Sequence, residues 1–187
     1  MYCFLLLIVI EFTISFTFLD VHPAFAQYLA EMTYSCDYIQ SIPSTNTTII
    51  LPNWTCNEVN YTTFDFSRFT DLEYLKIGSD SFGFVETFNM DGMHKLTTLI
   101  IGSSSFTESK YAEDNRVHKS FHVKNCELLA SIEIANNAFS DYSGEFELAN
   151  LPSLKTISIG SKYYISYNFY HSSFVVRGKY SFQSCNH

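Results

Sequence analysis

One short pattern recurs four times in this sequence and restricts the folds open to it. Each copy reads Leu-x-x-Leu/Ile-x-Ile, and after a turn it ends in a second segment of the form Phe-x-apolar. The copies begin at Leu72, Leu96, Leu129 and Leu154, with spacings of 24, 33 and 25 residues. One unit of this length cannot bury both of its apolar segments, so the units must stack. The repeat therefore predicts a solenoid.

The pattern within each unit predicts two short strands. Leu75, Lys76 and Ile77 alternate apolar and polar side chains, as a strand with one buried face does. Stacked units would pair their strands in parallel, so we expect a mainly β, parallel β-solenoid with little helix outside the N-terminal apolar segment, which we expect to be helical. The extra residues of the second unit fall at 107–120 and predict a loop. A degenerate unit precedes the four repeats. Its Cys56 occupies the position that Phe82 has after the first strand of the unit beginning at Leu72.

Composition excludes several other classes. Aromatic residues make up 17% of the chain, which a disordered chain would lack. Charged residues make up only 16%, too few for a long coiled coil. The net charge of −8 argues against nucleic-acid binding, which needs a concentrated basic surface.

The repeat resembles the leucine-rich repeat, over about residues 48–178. The segments that begin at Leu72, Leu96, Leu129 and Leu154 match the first half of its consensus. The usual Asn after the third apolar position is mostly replaced by Gly, Pro or Ala. The Phe-rich second halves are similar to the divergent surface-antigen branch of that family. The resemblance implies a solenoid of leucine-rich-repeat type that recognises proteins or glycans and is not an enzyme.

The first 26 residues have the pattern of a signal peptide. An apolar run is followed by Ala24-Phe25-Ala26, a small-x-small site that predicts cleavage before Gln27. An uncleaved membrane anchor and a buried N-terminal element are the alternatives, because Glu11 interrupts the run. We expect an N-terminal cap and degenerate first repeat at 27–68, four repeats at 69–178, and a tail or truncated next repeat at 179–187.

Sequons and cysteines are consistent with export. Asn46, Asn53 and Asn60 each begin an Asn-x-Thr sequon and are predicted glycosylation sites. Four cysteines remain after residue 26, and an even number in an oxidising compartment permits disulfides. Cys36 and Cys56 form the favoured pair; the alternative is that all four are small buried hydrophobic residues.

The outward positions of the first strands are the candidate binding surface. Alternation along a strand places every second side chain on the outer face. These residues are Tyr74, Lys76, Thr98, Ile100, Ser131, Glu133, Thr156 and Ser158. Ile100 is apolar where water is expected, so it marks either a contact or a position covered by the inserted loop.

No motif in the chain indicates catalysis or a cofactor. His118 and His122 are four residues apart, but no carboxylate is spaced to complete a metal site. Lys119 lies in a loop of mixed charge and is expected to be solvated. We therefore expect a non-catalytic, secreted or cell-surface module without a cofactor, whose partner is a protein or cell-surface glycan. It would contact a membrane only if the N-terminal segment stays uncleaved.

Two other functions remain open from the sequence. One is a structural surface-coat protein without a specific ligand. The other is a fragment of a longer adhesin or receptor, because Tyr180-Ser181-Phe182 resembles the start of another unit.

Overall fold

The structure is a computed structural model that describes residues 35–108 and 118–178. All described residues belong to one compact unit, Met32–His187. The predicted signal peptide, N-terminal helix and 179–187 tail lie outside the described residues. Helix α1 spans Cys36–Ser41, and a 3-10 helix spans Phe66–Arg68. The described strands are β1 Thr48–Ile50, β2 Thr63–Asp65, β3 Tyr74–Ile77, β4 Thr87–Asp91, β5 Thr98–Ile101, β6 Ser120–Lys124, β7 Ser131–Ile134, β8 Glu145–Ala149, β9 Thr156–Ile159 and β10 Ser173–Arg177.

The strands form two parallel sheets, and each turn of the chain adds one strand to each sheet. Sheet A has the order β1-β3-β5-β7-β9, and sheet B has the order β2-β4-β6-β8-β10. We call each turn a coil and number the coils one to five from the N-terminal end. Leu75 pairs with Leu99, and Leu99 pairs with Ile132 across the long spacing. The predicted mainly β, parallel β-solenoid with two short strands per repeat and little helix is confirmed.

A ladder of phenylalanine rings runs along the turns between sheet A and sheet B. Phe82, Phe106, Phe139 and Phe169 each come from a successive coil. Consecutive ring centroids are 5.0, 4.7 and 4.8 Å apart, and the rings are nearly parallel. We call this set the turn ladder. All four rings are buried in the interior of the solenoid.

A second ladder lies under sheet B, and we call it the sheet ladder. Phe88, Phe121, Phe146 and Phe174 occupy one register row, with centroids 4.8, 4.8 and 4.6 Å apart. The two ladders meet edge to face, as Phe121 does with Phe139 at 5.0 Å and 78°. Both geometries are favourable for aromatic pairs. The abundance of Phe in the composition therefore fills one continuous core.

The turn ladder requires an unusual backbone conformation. Phe82, Phe106, Phe139 and Phe169 have φ values of 57°, 57°, 59° and 50°, in the left-handed region that bulky residues rarely adopt. Cys56 takes the same conformation in coil one, with a φ of 55°. Burial of each ring offsets the local strain, which is on the order of 1–2 kcal/mol per residue.

Two glycines let successive turns approach closely. A Cβ atom on Gly102 would lie 2.4 Å from the backbone nitrogen of Ser79, and one on Gly78 would lie 2.4 Å from the carbonyl carbon of Pro52. Neither distance is accessible to a side chain, and the neighbouring atoms are backbone. The glycines that follow these strands are therefore required by stacking.

We expect Gly102→Ala to lower the free energy of unfolding by about 1–3 kcal/mol, because the added methyl group forces two coils apart. The matched control is Gly83→Ala, where the nearest atoms to an added Cβ are 3.4 Å away. That variant should change stability by less than about 1 kcal/mol. Urea denaturation of both purified variants measures the difference, and equal midpoints would contradict the close approach.

Helix α1 covers the N-terminal end of the solenoid. Ile39 is fully buried, and the inward residues of coil one, Ile49 and Phe64, are only 3% and 5% exposed. Arg68 donates hydrogen bonds to the carbonyl oxygens of Ile39, Gln40 and Ile42 at 2.7, 2.9 and 3.1 Å. The carbonyl oxygen of Ile39 also accepts a hydrogen bond from the backbone N–H of Ile42 at 3.2 Å. The guanidinium therefore adds hydrogen bonds to the backbone at the C-terminal end of α1 and holds the helix in place.

A disulfide between Cys36 and Cys56 joins α1 to coil one, as the sequence predicted. The two cysteines are 20 residues apart, so the bond is expected to stabilise the fold by about 3 kcal/mol. We therefore expect dithiothreitol to lower the thermal midpoint of the wild-type protein. A Cys36→Ser/Cys56→Ser variant should already have the lower midpoint and not respond to dithiothreitol. A wild-type midpoint unaffected by reduction would contradict a stabilising role.

The C-terminal end of the solenoid is open in the part of the chain that the structure describes. Ile157, Ile159, Phe174 and Val176 occupy inward positions yet are 38–56% exposed. Their tyrosine neighbours in coil five are also exposed, namely Tyr163, Tyr164, Tyr167 and Tyr170. Phe169 lies between these tyrosines in the sequence, but it is buried as the last member of the turn ladder.

Candidate binding surfaces

All eight sequence-predicted surface residues lie together on the outer face of sheet A. Strand pairing arranges this face in two rows that run across the five coils. We call it the sheet A face. The first row is Thr48, Tyr74, Thr98, Ser131 and Thr156, and the second row is Ile50, Lys76, Ile100, Glu133 and Ser158.

The second row combines apolar and charged groups. Ile100 pairs in register with Lys76 on one side and Glu133 on the other. Ile50 at the start of the row is 63% exposed. The hypothesis that the inserted loop covers Ile100 falls mostly outside the described residues, because 109–117 of the loop 107–120 are not described. In the second row the ammonium group of Lys76 thus lies between the aliphatic side chains of Ile50 and Ile100. The carboxylate of Glu133 follows Ile100.

The sheet A face is small for a protein interface. Five strands about 4.8 Å apart and four residues at about 3.3 Å each give an area of roughly 300 Å². A standard interface buries about 800 Å² on each partner. The sheet A face alone is therefore sufficient for a weak contact, and a stable complex would also involve the adjoining loops.

An ion-pair network occupies the outer face of sheet B. The Nδ1 atom of His122 lies 3.2 Å from Glu147 Oε2, and Arg177 lies 3.7 Å from both Glu145 and Glu147. One ligand atom from each of His122, Glu145 and Glu147 lies within 4.8 Å of the others, a grouping with the donor types of a metal site. The sequence shows no carboxylate spaced to complete a set with His122, but coil stacking brings Glu145 and Glu147 beside it. Arg177 already neutralises these carboxylates, so the group is explained as an ion-pair network.

A buried ion pair lies where the sequence predicted a solvated loop. Lys119 is only 3% exposed, and its Nζ donates to Asp141 Oδ2 at 2.8 Å. The same carboxylate oxygen accepts a hydrogen bond from the backbone N–H of Glu108 at 3.1 Å. The expectation of a solvated Lys119 was therefore wrong. The pair anchors both ends of the inserted segment to coil four.

A shallow groove of about 240 Å³ lies beside Trp54 on the first coils. It is lined by Trp54, Asn57, Asp80, Phe84, Thr107 and Glu108, among others. Trp54 is 66% exposed, and the amide of Asn57 bonds the backbone of Asp80 and Gly83. The sequence did not single out this groove, since its residues come from three coils.

The asparagines of the three sequons lie near the N-terminal end of the solenoid, outside the core. Asn53 and Asn60 are exposed and Asn46 is half-buried. The side-chain oxygen of Asn53 accepts a hydrogen bond from the backbone N–H of Ser79 at 2.8 Å. All three side chains thus lie at least partly at the surface.

The remaining described cysteine, Cys126, is buried as a free thiol. Burial raises the pKa of this thiol to about 11, and burial likewise raises the pKa of Tyr142 well above its usual value. At neutral pH Cys126 is almost wholly protonated and acts as a small apolar side chain.

Within residues 35–108 and 118–178 there is no helix long and apolar enough to cross a membrane.

Comparison with protein-family models, with curated proteins and with solved structures finds no match.

Proposed function

We propose that the protein is a secreted or cell-surface, non-catalytic recognition module of leucine-rich-repeat type, and that it binds a protein through the sheet A face. The observation that carries the proposal is the convergence of eight outward residues from four coils on one continuous face. In a solenoid each coil contributes the same positions to one surface, which is how such folds build extended binding sites.

The chemistry of the sheet A face favours a protein partner over a glycan. Ile50 and Ile100 offer aliphatic area, Tyr74 offers an aromatic ring with a polar tip, and Lys76 and Glu133 offer opposite charges. Aromatic and aliphatic anchors inside a polar rim are typical of protein interfaces. With roughly 300 Å² available, we expect single-site binding in the micromolar range.

The test uses fluorescently labelled tetramers of the full secreted chain on a panel of cell lines, read by flow cytometry. Ile100→Asp and Lys76→Glu should each weaken binding at least about tenfold, because each places a wrong charge at the centre of the interface. Lys124→Glu, a similar charge reversal on the outer face of sheet B, is the matched control. Unchanged binding by both sheet A variants would refute the proposed face.

A glycan is the second candidate ligand, supported by the Trp54 groove. An exposed indole beside the carboxylates of Asp80 and Glu108 offers a stacking surface with hydrogen-bond acceptors nearby. A glycan array with the secreted chain tests it, with Trp54→Ala expected to abolish any signal. Glycan binding that survives Trp54→Ala would exclude this groove.

Export itself has a direct test. Expression in a secretory cell line should yield a product that begins at Gln27 and carries N-linked glycans on Asn46, Asn53 and Asn60. Intact mass before and after enzymatic deglycosylation, under non-reducing conditions, reports cleavage and glycans. An intracellular, unglycosylated product that retains Met1 would contradict the secretory assignment.

Two rival functions have separate outcomes. A surface-coat protein without a ligand predicts no cell or glycan binding above background. A fragment of a longer adhesin or receptor predicts further repeats in the full-length transcript.

A further inference from the structure

The exposed inward side chains of coil five form an apolar end surface. Their register partners in coil four, Ile132, Ile134, Phe146 and Leu148, are at most 2% exposed because coil five covers them. Ile157, Ile159, Phe174 and Val176 have no such cover among the described residues. We call these four side chains the open end. A cluster of large apolar side chains that remains exposed marks a site of contact.

The open end also presents the edges of both sheets. In the described residues, β9 pairs only with β7 and β10 pairs only with β8. The far edge of each strand carries backbone N–H and C=O groups that an added strand can pair with. An extended peptide can therefore gain backbone hydrogen bonds and cover apolar side chains at the same time, which is the β-augmentation mode of recognition.

Charge indicates what kind of segment would fit. Residues 151–178 contain Lys155, Lys162 and Arg177 and no Asp or Glu, although the whole chain carries a net charge of −8. Arg177 is already paired with Glu145 and Glu147. Lys155 and Lys162 are exposed, flank β9 in sequence, and form no ion pair with a described residue. The edge of β9 is thus basic, and no described residue neutralises these two lysines.

A second copy of this chain fits the open end poorly. Two open ends placed face to face would bring Lys155 and Lys162 of both copies together. The N-terminal end has complementary acidic charge in Asp37 and Glu58, but its inward residues are already covered by α1. A head-to-tail contact would therefore leave the apolar side chains of coil five against a polar helix surface.

We propose that the open end is a docking site for an extended, acidic segment of a partner protein, which adds as a strand along β9. Its alternate apolar side chains cover Ile157 and Ile159, and its alternate acidic side chains meet Lys155 and Lys162. This site is separate from the sheet A face, because it uses the edge and the inward side chains of the last coil.

The test uses short fluorescein-labelled peptides and the full secreted chain, read by fluorescence anisotropy. One peptide alternates isoleucine with glutamate, a second alternates isoleucine with lysine, and a third has the composition of the first without alternation. We expect the first peptide to bind at least about tenfold more tightly than either of the others. Equal affinities for the first and second peptides, or for the first and third, would overturn the proposal.

Charge reversal gives a readout that a loss of folding cannot imitate. The Lys155→Glu/Lys162→Glu variant should invert the preference, so that the lysine peptide binds more tightly than the glutamate peptide. Ile157→Asp should weaken binding of the glutamate peptide about tenfold, because a carboxylate replaces apolar contact and repels the peptide. A preference that stays unchanged in the double variant would overturn the proposal.

The same set of measurements distinguishes two other occupants of the open end. Light scattering that finds a dimer of the full chain at micromolar concentration, abolished by Ile157→Asp, would assign the open end to a second copy. A chain ending at Gly178 that binds the glutamate peptide when the full chain does not would assign the site to the chain's own residues 179–187. Either result would overturn the proposal, and neither bears on the sheet A face.

Discussion

Replacing Phe121 with alanine is expected to lower the free energy of unfolding by about 3–5 kcal/mol. The ring is fully buried and stacks between Phe88 and Phe146, with both centroid distances at 4.8 Å. It also meets Phe139 edge to face, so its removal leaves a cavity in both ladders. Neighbouring coils are held by strand pairing and cannot close that cavity. Urea denaturation followed by circular dichroism measures the loss.

Phe174→Ala is the matched control for this prediction. Phe174 lies in the same register row of sheet B, yet it is 56% exposed because it belongs to the open end. Its truncation should cost about 1 kcal/mol or less. The two variants make the same chemical change and differ chiefly in burial. Equal losses from both would show that stacking within the core adds nothing to strand pairing.

Replacing Lys119 with alanine is expected to cost about 3–5 kcal/mol, because Asp141 is left as a buried carboxylate without its cation. Both side chains of this pair are less than 10% exposed, at 4% and 9%. Asp141 Oδ1 has no hydrogen-bond partner among the described residues, where the contacts of the carboxylate are those of Oδ2. The double variant Lys119→Met/Asp141→Leu should recover most of the loss, since it removes both charges.

Lys95→Ala serves as the control for the buried pair. Lys95 Nζ lies 2.7 Å from Asp71 Oδ1, nearly the same distance as in the buried pair, but its side chain is 56% exposed. Solvent and salt screen such a pair, so its loss should cost about 0–1 kcal/mol. A Lys119→Ala variant that loses no more than Lys95→Ala would contradict the role given to burial.

The repeat predicted the fold because its apolar positions are read directly from sequence spacing. Leu75, Leu99, Ile132 and Ile157 were aligned by pattern alone, and the structure pairs them in that register. The outward positions follow by alternation, so the sheet A face was predictable as well. A solenoid favours such prediction, since each coil repeats the previous one.

Sequence patterns did not predict the features that depend on the loops between coils. In coils two, three and four the turn-ladder Phe follows the Gly or Ala by four residues, as Phe106 follows Gly102, but Phe169 follows Gly160 by nine. Five extra residues rich in tyrosine hid its role. Likewise, Lys119 meets Asp141 over 22 residues, and His122 meets Glu147 over 25, and neither spacing has a local signature.

A disulfide joins coil one to α1, whereas coil five carries the open end. This difference predicts the order in which the coils unfold. The ten described strands pair only with strands of adjacent coils, so local opening propagates along one axis. Among the described residues coil five has a neighbour on one side only, while coil one is held by α1 and a covalent bond. Amide hydrogen exchange should therefore be graded along the axis, fastest in β9 and β10 and slower toward the N-terminal coils. Local unfolding would therefore begin at coil five, and coil one would be the last to open.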